Sequence, residues 1–232
     1  MDRSSLRAYI LDRMNKREFD IIVWGATGFT GALVAEYLLA QYGIGKDLRW
    51  AIAGRSEQKL EKLRHALGAE AAALPTIVAD SFDEQKLAEM AAKTRVVVTT
   101  VGPYAKYGSA LVAACVEQGT HYCDLAGEAQ WIRRMIDTHH EAAAKSGARI
   151  VHCCGFDSVP MDIGVHFLQQ EARRRHGEYC ASIVMNVKAM RGTFSGGTMA
   201  SMMNLVREAR ADREVARVLM KPYGLNPQGE RK

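Results

Sequence analysis

Residues 19–43 read FDIIVWGATGFTGALVAEYLLAQYG. An apolar run ends in Gly25, two more glycines follow at three-residue spacing, and a helical repeat then runs to Gly43. A strand covered on both faces is continuously apolar, whereas a half-exposed one alternates, so FDIIVW predicts a doubly buried strand. The turn is Gly25-Ala26-Thr27-Gly28-Phe29-Thr30-Gly31, lying directly between strand and helix. That context is the one in which a glycine turn holds a dinucleotide diphosphate. Gly25 permits the tight turn, Gly28 lets the diphosphate approach the backbone, and Gly31 lets helix and strand pack closely. The unpaired N–H groups at the helix start then face the phosphates. The spacing GxxGxxG is a variant of the commoner GxGxxG.

The same rhythm continues outward. LRWAIAGR, TIVAD, RVVVTTVGP, HYCDLAG and ARIVHCCG read as further strands. Between them SEQKLEKLRHALGA carries Leu60, Leu63 and Leu67 on one side, SFDEQKLAEMAAK opens with a Ser81–Glu84 capping box, and SALVAACVEQG and EAQWIRRMIDTHHEAAAKSG are helical. Six strands alternating with helices over residues 19–155 predict an α/β Rossmann fold, a doubly wound parallel sheet covered on both faces. Residues 1–18 form a polar lead-in, 19–160 the dinucleotide-binding domain and 161–232 part of a second α+β domain. In that last part DIGVHFLQQEARRRHG is helical, YCASIVMNVKAMRG alternates like a strand of an open sheet, and SGGTMASMMNLVREARADREVARVLM reads as one long helix. One strand and two helices cannot close a core. This part therefore packs on the first domain or a partner, or the chain is a fragment.

Composition excludes several classes. Of the 232 residues 48% are hydrophobic and 25% charged, which excludes disorder. No apolar run approaches the roughly 20 residues that span a bilayer, and the charged opening lacks the apolar core of a secretory signal. Five cysteines without framework spacing predict a reducing, cytoplasmic setting. Residues 1–172 hold 19 basic and 21 acidic side chains, against 12 and 5 in residues 173–232. Arg207, Arg210, Arg213 and Arg217 recur at helical spacing, as on a solvated face. Without aromatic interleaving they do not predict nucleic-acid binding.

The second strand selects the dinucleotide. NAD sites place a carboxylate at its end, but here the residues are Gly54-Arg55-Ser56. A guanidinium can pair with a 2′-phosphate and Ser56 can add a bond, which favours NADP(H) over NAD(H). Asp80 ends the third strand, where it either meets the adenine amino group or supports the next helix start. Thr100, Gly102, Pro103 and Tyr104 end the fourth, on the nicotinamide side. Asp124 and Glu128 after the fifth strand and Asp157 and Ser158 after the sixth are candidates for substrate binding or proton relay, the last two equally for capping. Ser195 in SGGT precedes a helix that can receive an anionic substrate group. His121, Cys123, His152, Cys153 and Cys154 lack metal-ligand spacing, so no metal site is expected. No Tyr-x-x-x-Lys follows the fourth strand, so short-chain dehydrogenase catalysis is not expected, and no catalytic residue is assigned. Six of the eleven methionines fall in residues 185–220, where they fill a core or meet lipid.

GATGFTG, AGRS, TTVGPY, HYCDLAGE, GFDSVPMD and SGGT in that order resemble the saccharopine dehydrogenase-like oxidoreductases, in particular their trans-acting enoyl reductase branch. The resemblance runs from about residue 19 to the C-terminus and implies a Rossmann domain binding NAD(P)H, then a second α+β domain. Family members continue well past PYGLNP, which implies a truncated member. The implied reaction is hydride transfer to an enoyl group of a lipid or polyketide-type substrate in glycolipid assembly. Peripheral membrane association and a homodimer are compatible with it. The competing expectation is a non-catalytic NADP(H)-binding, lipid-associated protein, or an inactive fragment.

Overall fold

The computed structural model of the chain describes residues 16–45, 47–189, 191–192, 196–221 and 223–227. Six parallel strands form one sheet: β1 (Phe19–Trp24), β2 (Trp50–Gly54), β3 (Thr76–Val78), β4 (Thr94–Thr99), β5 (His121–Asp124) and β6 (Ile150–Val151). Their spatial order is β3-β2-β1-β4-β5-β6. Ile22 pairs in register with Ala51 on one side and Val97 on the other. The order reverses between β1 and β4, and a doubly wound sheet opens its ligand crevice at such a point, outside the carboxyl ends of the strands.

The helices are α1 (Phe29–Tyr42), α2 (Glu57–Ala66), α3 (Glu84–Lys93), the short α4 (Tyr104–Tyr107), α5 (Ser109–Gln118), α6 (Ala129–Ser146), α7 (Val159–His176), α8 (Gly196–Ala211) and α9 (Arg213–Met220). Alternation along β1 and β2 sends side chains to two separate cores. Val23, Trp50 and Ile52 pack with Ala35, Leu38 and Leu60 of α1 and α2. Ile22, Trp24 and Ala51 belong to the opposite core, with Leu87, Met90, Leu111, Trp131 and Met135 of α3, α5 and α6. Arg17, only 6% exposed, joins the lead-in to this second layer. Its guanidinium donates to the carbonyls of Ala91 (3.3 Å), Ala92 and Gln118 (2.6 Å). A cation there meets carbonyls at the carboxyl ends of two helices, where the helix dipoles are negative.

Three expectations are corrected. The cap of α3 is Asp83, whose side chain accepts from the Lys86 N–H at 3.0 Å, so the Ser81–Glu84 box does not form. The long C-terminal helix is two, because Asp212 leaves helical geometry and caps α9 by accepting from the Glu214 N–H. Residues 179–189 form no strand, and among the described residues none pairs with them. Alternation makes a segment fit to be a strand, but only a hydrogen-bonded neighbour makes it one. Helix α7 has no buried residue, whereas α9 packs against both α8 and α6. Gln130 Nε2 of α6 donates to Glu208 of α8 (3.2 Å), fastening α8 to the first domain.

Candidate cofactor cleft

The glycine turn is built to leave its backbone bare. Gly25 has φ +85°, and a Cβ there would lie 2.5 Å from Val101 Cγ2. A Cβ on Gly31 would fall 2.2 Å from the Gly25 carbonyl oxygen, so only glycine allows α1 to start this close to β1. Thr100 braces the turn, its hydroxyl donating to the Gly25 carbonyl at 3.2 Å. Gly28 occupies the N-cap of α1, no side chain caps the helix, and its first turn holds no acidic residue. Its first N–H groups are therefore open to an external anion.

These residues form one wall of a cleft of about 610 Å³ at the carboxyl edge of the sheet, within the usual range for small-molecule sites. Gly25, Thr27, Gly28, Phe29 and Thr30 line it, as do Arg55, Asp80 and the stretch Thr100–Pro103. Arg55 is exposed. Among the described residues no hydrogen bond or ion pair holds its guanidinium. Asp80 shapes its own loop, accepting from the Phe82 N–H at 3.0 Å.

Other expected residues lie apart from the cleft surface. Ala26 and Gly31 are buried behind the turn. The Ser56 hydroxyl caps α2, accepting from the Lys59 N–H at 3.4 Å. Tyr104 is a core residue: its hydroxyl donates to the Thr99 carbonyl (3.2 Å) and accepts from the Leu125 N–H (3.1 Å), and its ring stacks on Trp131. Burial pushes its phenol far above the ordinary tyrosine range. One helical turn on, Tyr107 reaches the cleft instead, with Phe82 edge-on to it at 5.8 Å. Phe82 is 72% exposed and Phe29 75%, and both line the cleft. Sequence reading missed Phe82 and Tyr107. The available signals were the position of Phe82 two residues past Asp80 and the one-turn spacing of Tyr107 from Tyr104. Gly196 and Gly197, at the start of α8, also line the cleft. Ser195 lies outside the described residues.

Asp124 is buried and accepts from the Tyr122 hydroxyl (2.9 Å), the Ala126 N–H (2.9 Å) and the Cys153 N–H (3.1 Å). His152 Nδ1 lies 2.7 Å from Oδ2, the oxygen that also accepts from Tyr122, and the histidine side chain is only 9% exposed. Asp124 thus knits the ends of β5 and β6 together. Asp157 is exposed, and Ser158 stands at the N-cap of α7 without a side-chain capping bond. His121 Nδ1 accepts from the Arg149 N–H at 3.1 Å. Burial pushes the Cys123 thiol up to about 12 and raises the thiols of Cys153 and Cys154. Among the described residues no group of three or more His, Cys, Asp or Glu side chains is arranged to hold a metal ion. Among them, too, no helix is long and apolar enough to cross a membrane.

Residues 21–151 match the family of the saccharopine dehydrogenase NADP binding domain. A Mycobacterium tuberculosis protein provisionally named a trans-acting enoyl reductase is 48% identical over 91% of this chain. A Mycobacterium leprae protein named trans-acting enoyl reductase is 43% identical over 91%. The chain spans about half the length of these relatives, 50% in each case. Among solved structures, apo saccharopine dehydrogenase (L-Glu forming) from Saccharomyces cerevisiae superimposes with a TM-score of 0.52 at 17% identity, covering 67% of this chain and 32% of that one. This last likeness is one of fold.

Proposed function

The chain belongs to the saccharopine dehydrogenase NADP-binding domain family, and we propose that it is the cofactor-holding part of an NADP(H)-dependent oxidoreductase that reduces an enoyl group of a lipid or polyketide-type substrate. The observation that carries the cofactor half is the exposed Arg55 guanidinium, without a partner among the described residues, in a cleft with the bare glycine turn. The turn has room for a diphosphate because its glycines carry no Cβ, and the open N–H groups of α1 supply donors. Arg55 has the charge and planar fork that suit a 2′-phosphate. Asp80 and Phe82 offer an acceptor and an aromatic ring to an adenine, and Thr100–Pro103 offer a small-residue backbone wall to the nicotinamide.

When bound, NADPH supplies a hydride to the substrate. The chain's own residues hold the dinucleotide, orient it across the β1–β4 switch point and cover one side of it. The enoyl substrate is taken from the names of the relatives and from the family resemblance of this chain's own ordered motifs. Phe156, Ile163, Phe167, Val184 and Met203 are exposed apolar side chains beyond β6, compatible in character with an acyl substrate.

Titration with NADPH and NADH, followed by nicotinamide fluorescence, tests the reading. NADPH should bind more tightly. Arg55→Ala should cost NADPH about 2 kcal/mol, roughly thirtyfold in affinity, and leave NADH within a few-fold. Equal binding of the two nucleotides, or equal loss of both in Arg55→Ala, would contradict it. A second reading, an NADP(H)-binding protein without turnover, draws on the Thr100–Pro103 wall, which carries no ionisable side chain. NADPH binding without oxidation across enoyl, acyl and imine substrates would favour it.

A further inference from the structure

Glu128 is 2% exposed, and its carboxylate does not cap the helix that it precedes. It turns back toward the end of β4. Oε1 accepts from the Tyr104 N–H at 2.7 Å and from the Ser201 hydroxyl at 3.0 Å, and Oε2 accepts from the Ala105 N–H at 3.0 Å. One buried carboxylate thus joins three pieces of chain: the loop leaving β4, the segment between β5 and α6, and helix α8. Two of these carry cleft wall. Gly102 and Pro103 immediately precede the N–H groups that Glu128 holds, and Gly196 and Gly197 open the helix that bears Ser201. Ser201 also abuts the loop directly, since a Cβ on Gly102 would come 3.4 Å from its Oγ.

We propose that Glu128, with Ser201, is the positioning residue for the nicotinamide half of the cofactor: it fixes the Thr100–Pro103 wall against α8, so that the two sides of that half-site are set by one hydrogen-bonded carboxylate. This rests on the NADP(H) reading above. Neither residue lines the cleft, so both act through the backbone they hold. Arg55 follows β2, on the far side of β1 from this wall. The 2′-phosphate and adenine end of the site is therefore not held by Glu128, although Thr100 ties the wall to the glycine turn. A glutamine in its place keeps one acceptor oxygen but turns an amide N–H toward a backbone or hydroxyl donor, so at least one of the three bonds is lost and its partner left unpaired. A supporting group that loosens lets the groups it holds drift from the productive position.

The test measures two ligands on three proteins. NADPH reports both halves of the site and its fluorescence reports the nicotinamide surroundings, while 2′,5′-ADP reports the adenosine half alone. In Glu128→Gln, NADPH should bind about tenfold more weakly, with a reduced fluorescence change, and 2′,5′-ADP should stay within about twofold. Ser201→Ala removes one bond and leaves both backbone donors paired. It should show the same pattern at roughly threefold, and it decides the matter if Glu128→Gln does not fold. Unchanged NADPH binding and fluorescence in a folded variant, or equal weakening of both ligands, overturns the role of Glu128. If the unaltered protein binds neither ligand, the NADP(H) reading itself fails and this inference falls with it.

Discussion

At the scale of single residues, the glycine turn and its neighbours decide what the cleft can hold. Gly31 is the most constrained position. A methyl group there meets backbone on two sides, 2.2 Å from the Gly25 oxygen and 2.8 Å from Ala26 Cα, and backbone cannot step aside as a side-chain tip can. Gly31→Ala should cost about 3 kcal/mol of stability, seen as a lower urea midpoint, and should abolish NADPH binding. A second residue gives a pH signature. His121 is partly buried, and burial first, then the charges of Arg149 and Arg95, hold its pKa below the ordinary histidine value. Above about pH 6.5 the ring is neutral folded and unfolded alike. As pH falls below that, the unfolded ring takes its proton first, so stability declines until the pH has passed the lowered folded value. Urea midpoints between pH 7 and 5 should therefore fall less steeply in His121→Gln than in the parent; identical slopes would exclude this account. The cleft residues were unevenly legible. Gly25, Gly28 and Arg55 announce themselves by type and spacing. Tyr104 does not, because its burial depends on Trp131 and Leu125, more than twenty positions away in sequence.

At the scale of elements, the sequence pattern held where an element's partners are dictated by its own composition. The apolar strands β1, β2 and β4 could be recognised because a strand with no polar face must be covered twice. Their helices were recognisable by period and by the glycines that end them. Residues 179–189 alternate as a strand does, yet lie unpaired among the described residues, since pairing is a property of the neighbour. The break between α8 and α9 was hidden for a different reason: the run 196–220 keeps a helical period, and only the side-chain bond of Asp212 to the Glu214 N–H marks the new start. Asp212→Ala should remove about 1 kcal/mol from α9, read as roughly fivefold faster amide exchange over Arg213–Met220, with α1 and α5 unaffected. Unchanged exchange would mean that packing of Val215, not the cap, holds the helix start.

At the scale of the whole molecule, the order β3-β2-β1-β4-β5-β6 explains why the cleft lies where it does. The crossover from β3 to β4 sends α1 and α2 to one face and α3, α5 and α6 to the other, and the cleft opens between them at the carboxyl ends of β1 and β4. Dinucleotide-binding halves meet at such an opening, with the adenosine over β2 and β3 and the nicotinamide toward β4 and β5. Helix α8 then returns from the second part of the chain to place Gly196 and Gly197 on the rim of the cleft, a contact between distant segments that no local pattern predicts. The most direct measurement is a crystal structure of the protein with NADP⁺ bound. The diphosphate should lie on the backbone of residues 25–30, the 2′-phosphate within hydrogen-bond reach of the Arg55 guanidinium, and the nicotinamide against Thr100–Pro103. A dinucleotide seated elsewhere, or one whose 2′-phosphate leaves Arg55 in solvent, would contradict the account.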